Sequence, residues 1–508
     1  MALEAYAGVF TLNLGAGNQA IVAPGFTPKV TIFLSNAEDV SEVNTHYFFG
    51  IGAATGSGAQ FLVHGNSENA VAPSDTSWIY RSTRCIGALD VGLATYDYYC
   101  TFVSNDANGF TVNVVNPPAF GVEVAYLCLG GADLSNVALG KFQKNAAVGN
   151  QAIAGLGFQP TAVFFAGHTN TYEADIEADV HINLGTMDED GNQGCASVFS
   201  NNNGTPSNTA RYQRSDCCYS MLWNGGLDSI FQYVSMDAGG FTWNQTVSGG
   251  TQEWVNYIAL QVPRAHVGAL NATGGVADIA IAGIGQQPEA GIFFSTGNTS
   301  AAGLSNHNEL SVGLASDPTE TIAMGGTDED NQNPTDADRW MYPDSVDRDY
   351  DYAQALDGEM ELKSWDWNGF TLTEVDAYPA ANEIIYLVLG LPGTLVVTPT
   401  PADAAKDVVA PDVIHDYAPI LVPADAAKDT VAPTVIITPA PGPPAPLGGF
   451  SDKYRVHLGM PDKGGCVAFP ETPRVHLGPP DKGCVDFPDA PRVHHARGTP
   501  RWEPPDFP

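Results

Sequence analysis

Residues 149–165 read GNQAIAGLGFQPTAVFF, in which a polar lead is followed by a Gly-Phe-x-Pro turn and an apolar run. The same pattern occurs once before this stretch and, more weakly, once after it. Its three turn prolines are Pro28, Pro160 and Pro288, which are 132 and then 128 residues apart. A pattern that recurs at such a near-constant distance indicates an internal repeat.

A second landmark, Gly-Phe-Thr, repeats in step with the first, at residues 109–111, 240–242 and 369–371. An apolar strand with a tyrosine closes each copy, at Tyr126, Tyr257 and Tyr386. From turn proline to closing tyrosine the distances are 98, 97 and 98 residues. We therefore divide most of the chain into three copies of one unit: repeat 1 (1–135), repeat 2 (136–264) and repeat 3 (265–393).

The strands inside each repeat have a distinctive pattern. Apolar and polar side chains alternate over residues 110–114, which is typical of a strand with one buried face. The closing strand over residues 125–129 is almost wholly apolar, which predicts that both of its faces are covered. Seven or eight such short strands in a repeat, joined by Gly- and Asn-rich turns, predict an all-β chain of three tandem antiparallel β-sandwich domains, jelly-roll-like in form.

Composition excludes several classes of partner. The 508 residues include 57 Asp and Glu against 21 Lys and Arg, a formal net charge of −36, and such a surface repels nucleic acid and anionic membranes. No apolar run approaches the roughly 18 residues that a membrane span needs, and the first residues do not resemble a signal peptide. We expect a protein that stays in the cytoplasm where it is made, or leaves by lysis or in a particle.

The composition changes after residue 393. Residues 394–449 are rich in Pro and Ala, contain PADAAKD at 401–407 and again at 423–429, and are predicted to be a semi-rigid linker. Residues 450–508 repeat once more, with units that begin Arg-Val-His and end Phe-Pro. With few large apolar residues, this segment is predicted to be an extended C-terminal arm that becomes ordered on a partner surface.

The patterned residues of the arm are its predicted partner-binding residues. The phenylalanines would serve as anchors in equivalent pockets and the arginines would pair with acidic groups of the partner; they are Arg455, Phe469, Arg474, Phe487, Arg492 and Phe507. Cys466 and Cys484 are candidates for a cross-link between chains, or are plain free thiols. A zinc site with the nearby histidines fits less well, because the spacing matches no compact zinc module. A duplication without a role remains the alternative.

Few residues suggest chemistry. The acidic runs 188–192 and 328–332 could offer carboxylates to calcium, but neither has the later glutamate of an EF-hand, and solvated hairpin tips are the favoured interpretation. There is no Gly-x-Ser-x-Gly, phosphate loop or dinucleotide fingerprint, and no spacing pairs a nucleophile with the histidines. The sequence therefore predicts no catalytic, cofactor or metal site, and no enzyme.

Two further sets of residues keep the register of the repeats. Tyr80, Tyr212 and Trp340 each follow their turn proline by 52 residues and have an arginine beside them, which suggests either a sugar-binding platform or a structural pair on one strand. Cys85 and Cys217 are 132 residues apart, which predicts a shared core position. Disulfides are expected only if the protein works outside a cell.

The combined landmarks resemble repeat domains in the virion structural proteins of tailed bacteriophages. The resemblance rests on Gly-Phe-x-Pro-x-Ala-Val-Phe-Phe at 157–165, Gly-Phe-Thr at 369–371 and Tyr-Leu-x-Leu-Gly at 386–390, and it covers about residues 1–393. Repeat 3 departs from it, since Gln286 stands where the other turns have phenylalanine. The resemblance implies a structural module of viral origin that carries no active site.

These observations together predict a non-enzymatic virion protein on the particle exterior, assembled in the host cytoplasm. Capsid decoration and stabilisation through the arm is the leading hypothesis, with capsid or tail subunits and other copies of the chain as partners. The alternative is a tail fibre or other adhesin that binds host-surface glycans through the loops of the β-domains.

Overall fold

The computed structural model describes residues 3–36, 42–92, 95–299, 303–351 and 353–392, and the backbone of residues 395–397, 417–421 and 435–439. All regular secondary structure in these ranges is β-strand, so the predicted all-β class is confirmed. No helix in the described ranges could span a bilayer. The repeats lie within one compact unit, Met1–Gly442, and the unit Pro443–Pro508 falls outside the described residues.

The strands follow the same order in each repeat. Those of repeat 1 are β1 (Leu3–Thr11), β2 (Gly17–Ile21), β3 (Pro28–Ser35), β4 (Glu42–Thr45), β5 (Tyr47–Gly56), β6 (Ala59–Ser67), β7 (Thr76–Arg81), β8 (Ile86–Leu89), β9 (Tyr96–Asp106), β10 (Gly109–Asn116) and β11 (Glu123–Gly131). Those of repeat 2 are β12 (Asn136–Gln143), β13 (Gly149–Ala154), β14 (Ala162–Gly167), β15 (Ala174–Ala178), β16 (Val180–Asp188), β17 (Gln193–Ser200), β18 (Thr209–Arg214), β19 (Tyr219–Trp223), β20 (Gly226–Asp237), β21 (Gly240–Val247) and β22 (Trp254–Gln261).

Repeat 3 continues the series, followed by three short strands in the Pro/Ala-rich stretch. The strands of repeat 3 are β23 (Arg264–Asn271), β24 (Ala277–Ala282), β25 (Gln286–Ser295), β26 (Gly303–Asn306), β27 (Asn308–Asp317), β28 (Glu320–Asp328), β29 (Ala337–Pro343), β30 (Asp347–Tyr350), β31 (Leu356–Asp366), β32 (Gly369–Asp376) and β33 (Glu383–Pro392). Beyond them, β34 (Leu395–Val397), β35 (Tyr417–Leu421) and β36 (Val435–Pro439) form an antiparallel sheet in the order β34-β36-β35, which the composition of this linker does not predict.

Each repeat is a sandwich of two antiparallel sheets. In repeat 1 the larger sheet contains β1-β11-β3-β5-β6-β7 and the smaller one β2-β10-β9-β8, and repeats 2 and 3 have the same strand orders. Consecutive strands form a meander within each sheet, β5-β6-β7 in one and β8-β9-β10 in the other. The paired Greek keys that define a jelly roll are therefore replaced by meanders.

The Gly-Phe-Thr landmark has a physical explanation. A Cβ atom at Gly109 would collide with the carbonyl oxygen of Ile21 on the neighbouring strand, and Gly240 and Gly369 are constrained in the same way. The phenylalanine that follows is fully buried in the sandwich, and the hydroxyl of Thr111 donates a hydrogen bond to Asp106 in the hairpin. The landmark is thus a hairpin whose glycine permits close strand approach.

The larger sheets are buried on both faces. In the closing strand β11, Tyr126 and Cys128 pack into the sandwich of repeat 1, whereas Leu127 and Leu129 face a second core. That second core contains residues of all three repeats, and the rings of Phe164 and Phe294 meet in it with their centroids 6.3 Å apart. The predicted two-sided burial of the closing strand is confirmed, and one covering layer belongs to other repeats.

A short strand of each repeat leaves its own sandwich and pairs with another repeat. Strand β15 of repeat 2 extends the larger sheet of repeat 1 at β7, β26 of repeat 3 extends that of repeat 2 at β18, and β4 of repeat 1 extends that of repeat 3 at β29. The exchange is cyclic, so the three repeats close into a ring around a pseudo-threefold axis. The prediction of tandem sandwiches is corrected in this respect, because the sandwiches share strands and a core.

Candidate functional site at the junctions between repeats

Each exchanged strand (β4, β15 and β26) ends at a residue with an unusual backbone conformation. Just after each of them, one non-glycine residue takes a left-handed conformation: His46 (φ 72°), Asp179 (φ 73°) and His307 (φ 69°). Each of these side chains accepts a main-chain N–H from the same loop position, at Asn69, Asn202 and Asp330 respectively. The left-handed residue turns the chain from the neighbour's sheet back into its own, and its side chain caps a loop N–H.

A basic residue reinforces two of the three junctions. Arg339 of β29 lies opposite Asn44 of β4 and donates to the carbonyl oxygens of Thr45 and His46, with its guanidinium 4.7 Å from the Phe48 ring centroid. At the equivalent place Arg211 of β18 forms an ion pair with Glu309. Trp78 takes this place in β7, so the three junctions share geometry but differ in chemistry.

Three loops close the ring at one end of the axis. We call them the axial loops: residues 68–76, 201–209 and 329–337. A hydroxyl at the same position in each donates to a carbonyl of the next repeat: Ser74 to Asn201 at 2.7 Å, Ser207 to Glu329 at 2.7 Å and Thr335 to Glu68 at 2.6 Å. Each hydroxyl also accepts a main-chain N–H of the repeat to which it donates. The result is a closed cycle of hydrogen bonds around the axis.

A layer of mainly polar side chains lies on the axis between these loops and the shared core, and Val180 is its one apolar member. It consists of three cross-strand pairs at the same position of each repeat: Tyr47 and Ser67, Val180 and Ser200, and Asn308 and Asp328. All six side chains are buried, and we call this set the axial polar layer. The next residues toward the core include Phe49, Ile182 and Leu310, which are apolar.

Contacts between repeats hold the axial polar layer in place. A Cβ atom added at Gly65 of repeat 1 would lie 2.7 Å from a methyl group of Val180 in repeat 2. A Cβ atom added at Gly326 of repeat 3 would lie 2.7 Å from the ring of Tyr47 in repeat 1. Glycine at these positions lets the side chains of the next repeat approach the axis. Burial raises the pKa of the Asp328 carboxyl to about 7.

The prediction that the acidic runs are solvated hairpin tips is wrong for the first residue of each. Asp328 lies in the axial polar layer, and Asp188 is equally buried at the junction of repeats 2 and 3. The Asp188 carboxylate accepts two N–H groups and one amide of its own turn and, at 2.8 Å, the main-chain N–H of Val267 in β23. In both cases the buried carboxyl group is covered by another repeat, which the pattern of a single repeat does not reveal.

Two open grooves lie at equivalent junctions. The first, of about 530 Å³, runs between β1 and repeat 3, with Glu289, Asp317 and Trp365 in its wall. The second, of about 520 Å³, runs between β23 and repeat 2, with Asn192, Asp216 and Glu383 in its wall. In each, an acceptor of one repeat covers an edge-strand N–H of another: Ser316 for Ala7, and Asp188 for Val267.

The aromatic register predicted from the sequence is wrong by one residue. The cross-strand partners of Tyr80, Gln213 and Met341 are Val63, Ala196 and Met324, which occupy the same position of the three repeats, so Tyr212 and Trp340 correspond to Ile79 instead. Repeats 2 and 3 each have one residue more than repeat 1 between the turn proline and the axial polar layer. Since neighbouring residues of a strand point to opposite faces, the three aromatic side chains form no common platform.

The same one-residue error in register affects the predicted equivalence of the cysteines. The N–H of Cys85 donates to Cys100, and its counterparts are the N–H groups of Cys218 and Val346, which donate to the carbonyls of Phe231 and Met360. Cys217 therefore occupies the preceding position, where its thiol lies 2.8 Å from that of Cys195. The cysteines of the described ranges are buried and free, in agreement with a core role.

His64, His168 and His181 are packed in the interior, whereas His46 lies at the strand exchange. His168 stacks on Trp78 with centroids 4.3 Å apart, and burial lowers the pKa of His64 to about 3 and that of His181 to about 4. The Nδ1 atom of His181 lies 3.2 Å from the main-chain oxygen of Leu222. Neutral histidines in such surroundings pack against neighbours. In the described part of the chain, no three His, Cys, Asp or Glu side chains are grouped to hold a metal ion.

The predicted partner-binding and cross-linking residues lie outside the described residues. They are Arg455, Phe469, Arg474, Phe487, Arg492, Phe507, Cys466 and Cys484. What the structure adds to the sequence is the set of junctions, whose residues come from distant parts of the chain.

No protein-family model and no curated protein matches this chain. The resemblance to phage virion repeats therefore stays a prediction.

Repeat 3 also contains a buried carboxyl group whose raised pKa predicts that the stability of the protein depends on pH. Asp347 accepts hydrogen bonds from the hydroxyls of Ser295 at 2.6 Å and Tyr378 at 2.7 Å. Burial raises its pKa from 3.8 to about 6. The folded protein thus holds this proton more tightly than the unfolded chain. The protonated Asp347 therefore adds its full contribution to the free energy of unfolding below pH 4, and this contribution is lost as the pH rises through 6.

We expect Asp347→Asn to flatten this pH dependence. An amide can keep both partners, because hydroxyl groups donate or accept. Near pH 4 the variant should unfold like the wild type, and above pH 7 it should be more stable by up to roughly 3 kcal/mol. Denaturant unfolding from pH 4 to 8 measures this, with the exposed Asp317→Asn as the control. Parallel curves for the wild type and Asp347→Asn would contradict it.

Proposed function

We propose that this chain is a non-enzymatic structural protein of a virus particle, carried on the particle exterior, where it decorates and stabilises the capsid. The observation that supports this most is the closed ring of repeats. Three sandwiches that exchange strands and share one core form a body with little internal freedom. Its outward surface repeats about the axis, as suits a part that is displayed.

The treatment of the sheet edges fits an exposed protein. The β7, β18 and β29 edges are each covered by a strand of another repeat, and N–H groups of the opposite edge strands β1 and β23 are capped by Ser316 and Asp188. Open edges are sites of aggregation, and covering them favours survival outside a cell. The formal charge of −36 adds a hydrated surface.

The proposed attachment is the C-terminal arm, with capsid or tail subunits as its partners. In this arrangement the three repeats, which we call the β-body, face outward, and the Arg-Val-His and Phe-Pro units of residues 450–508 follow the particle surface. Further copies of the chain would occupy equivalent places on the lattice. Quantitative mass spectrometry of purified particles tests this, because a decoration protein is present at a fixed ratio to the major capsid protein. Its absence from purified particles would refute the proposal.

The first groove favours the alternative function, a tail fibre or adhesin that binds glycans. Its wall combines the indole of Trp365 with the carboxylates of Glu289 and Asp317, and sugar sites in proteins often join an aromatic face with a few polar groups. The indole N–H is fixed by a 3.0 Å hydrogen bond to the carbonyl oxygen of Ser316, so the ring is held in place.

A glycan-array screen distinguishes the two functions. For an adhesin we expect a signal that Trp365→Ala reduces at least tenfold, while Trp223→Ala, a half-exposed tryptophan outside both grooves, leaves it unchanged. If Trp365→Ala unfolds the body, Asp317→Ala tests the same groove without removing an aromatic ring. If the wild-type protein gives no signal on an array of host-surface glycans, the adhesin hypothesis is ruled out and capsid decoration is favoured.

A further inference from the structure

The axial polar layer contains a negative charge that the described basic residues do not balance. Asp328 is 1% exposed, and no lysine or arginine of the described ranges forms an ion pair with it. The hydroxyls of Ser67 and Ser200 face its carboxylate, and the carboxylates of Asp330 and Asp336 add to the negative potential. An unpaired buried carboxylate is costly unless a proton or a cation compensates it.

Neutral oxygen atoms of the same layer also have unused capacity. The Asn308 amide nitrogen donates to the Ser200 hydroxyl at 2.9 Å, but its Oδ1 atom has no hydrogen-bond partner among the described residues. The same holds for the Ser67 Oγ atom, the Tyr47 Oη atom and the Oδ1 atom of Asp328. Ser67 faces the Asp328 carboxylate and Tyr47 faces Asn308, without good hydrogen-bonding geometry.

This donor set has the chemistry of a site for a hard cation. Such ions take oxygen ligands from carboxylates, amide carbonyls and hydroxyls. The ligands come from all three repeats, and the apolar layer of Phe49, Ile182 and Leu310 closes the site on the core side. On the other side are the axial loops, whose carboxylates attract cations toward the axis; they are Glu68, Asp75, Glu329, Asp330 and Asp336.

We propose that the axial polar layer binds one hard cation, held by the carboxylate of Asp328 and by the neutral oxygen atoms around it. The ion neutralises the buried carboxylate and joins the three repeats at their common axis. Repeats 1 and 2 have serine where repeat 3 has Asp328, so the layer supplies one negative charge in total. This balance favours a monovalent ion, and a divalent ion would draw on the carboxylates of the axial loops. The inference is independent of the function proposed above.

Thermal unfolding of the full chain tests the proposal. The protein is dialysed against chelator and then into a buffer at pH 8 whose only cation is choline. Sodium, potassium, magnesium and calcium are then added separately at constant ionic strength. We expect one of them to raise the melting temperature by several degrees in a saturable manner. Elemental analysis after dialysis against that ion should find one ion per chain.

Variants of the layer decide whether the site is the one proposed. Asp328→Asn should weaken the apparent affinity at least tenfold, as should Asp328→Ser, which places the residue of the other repeats there. If these variants fail to fold, Ser67→Ala, which removes one neutral ligand and keeps the charge, should weaken it several-fold. The matched control is Asp188→Asn, a buried aspartate away from the axis, which should keep the response.

Two results would overturn the proposal. In the first, none of the four ions changes the melting temperature of the wild type, and Asp328→Asn is more stable than the wild type in their absence. This result would mean that a proton alone neutralises Asp328. The other is an equal response of the wild type and Asp328→Asn, which would place the ion elsewhere.

Discussion

Two proline substitutions in the ring-closing strand, Val43→Pro and Asn44→Pro together, are expected to open the ring and to destabilise the whole β-body. Proline has no N–H to donate to a sheet, and in a strand that pairs with a neighbour it removes a hydrogen bond of the ladder. Strand β4 covers the edge of repeat 3 at β29, with Asn44 opposite Arg339. Its loss also removes the carbonyl partners of the Arg339 guanidinium.

The consequences should extend beyond repeat 3. Core residues of all three repeats face the axis, so water that enters at the open junction reaches the shared core. We expect a melting temperature lower by at least ten degrees or so, and a larger radius of gyration in small-angle scattering. The matched control is Val43→Ala with Asn44→Ala, which keeps both N–H groups and should change the melting temperature little. A double-proline variant that melts and scatters like the wild type would show that β4 does not hold the ring closed.

Deletion of residues 450–508 is expected to reduce incorporation into particles to background while the β-body unfolds as before. This follows from the proposed function. The arm has the repeated Phe-Pro units that are proposed to dock, and the compact body is formed by the residues before it. The ratio of the truncated protein to the major capsid protein in purified particles, measured by mass spectrometry, gives the result, and the melting temperature of the free protein verifies that the body is intact.

Substitutions in the full-length chain separate the anchors from the length of the arm. Phe469→Ala, Phe487→Ala and Phe507→Ala together should reduce occupancy nearly as far as the deletion, because each removes one of the proposed anchors on the partner. The control is an equal number of alanine substitutions at Lys406, Asp407 and Lys428 in the Pro/Ala-rich stretch. Full occupancy of the truncated protein would show that the β-body attaches itself to the particle.

Local sequence patterns predict the repeats well because each of their residues acts within its own repeat. Gly109 permits the approach of a strand of repeat 1, Phe110 packs in the same sandwich and Thr111 bonds to the same hairpin. The wholly apolar closing strand even indicates that something covers its second face. That the cover consists of other repeats cannot be read from it, since burial leaves the same pattern whatever the neighbour is.

The strand exchange leaves almost no signal in the sequence. Residues 42–45 are Glu-Val-Asn-Thr, short and polar, and their partners in β29 are nearly 300 residues away. Asp188 and Asp328 could not be recognised as buried for the same reason, because each is covered by a distant repeat. Repeats 2 and 3 have one residue more than repeat 1 before these positions, which misplaced Tyr80 and Cys85, since landmarks on either side of an insertion fix the register only to within its length.

The cyclic exchange of β4, β15 and β26 also has a consequence for mass action. Three separate chains that closed the same ring would dissociate on dilution. The concentrations of their dimers and of their closed rings would vary with the second and third power of the free chain concentration. Here every closing contact forms within one molecule, at an effective concentration set by the connecting segments. A single copy released far from any other therefore keeps its ring, and the integrity of the body does not depend on how many copies are present.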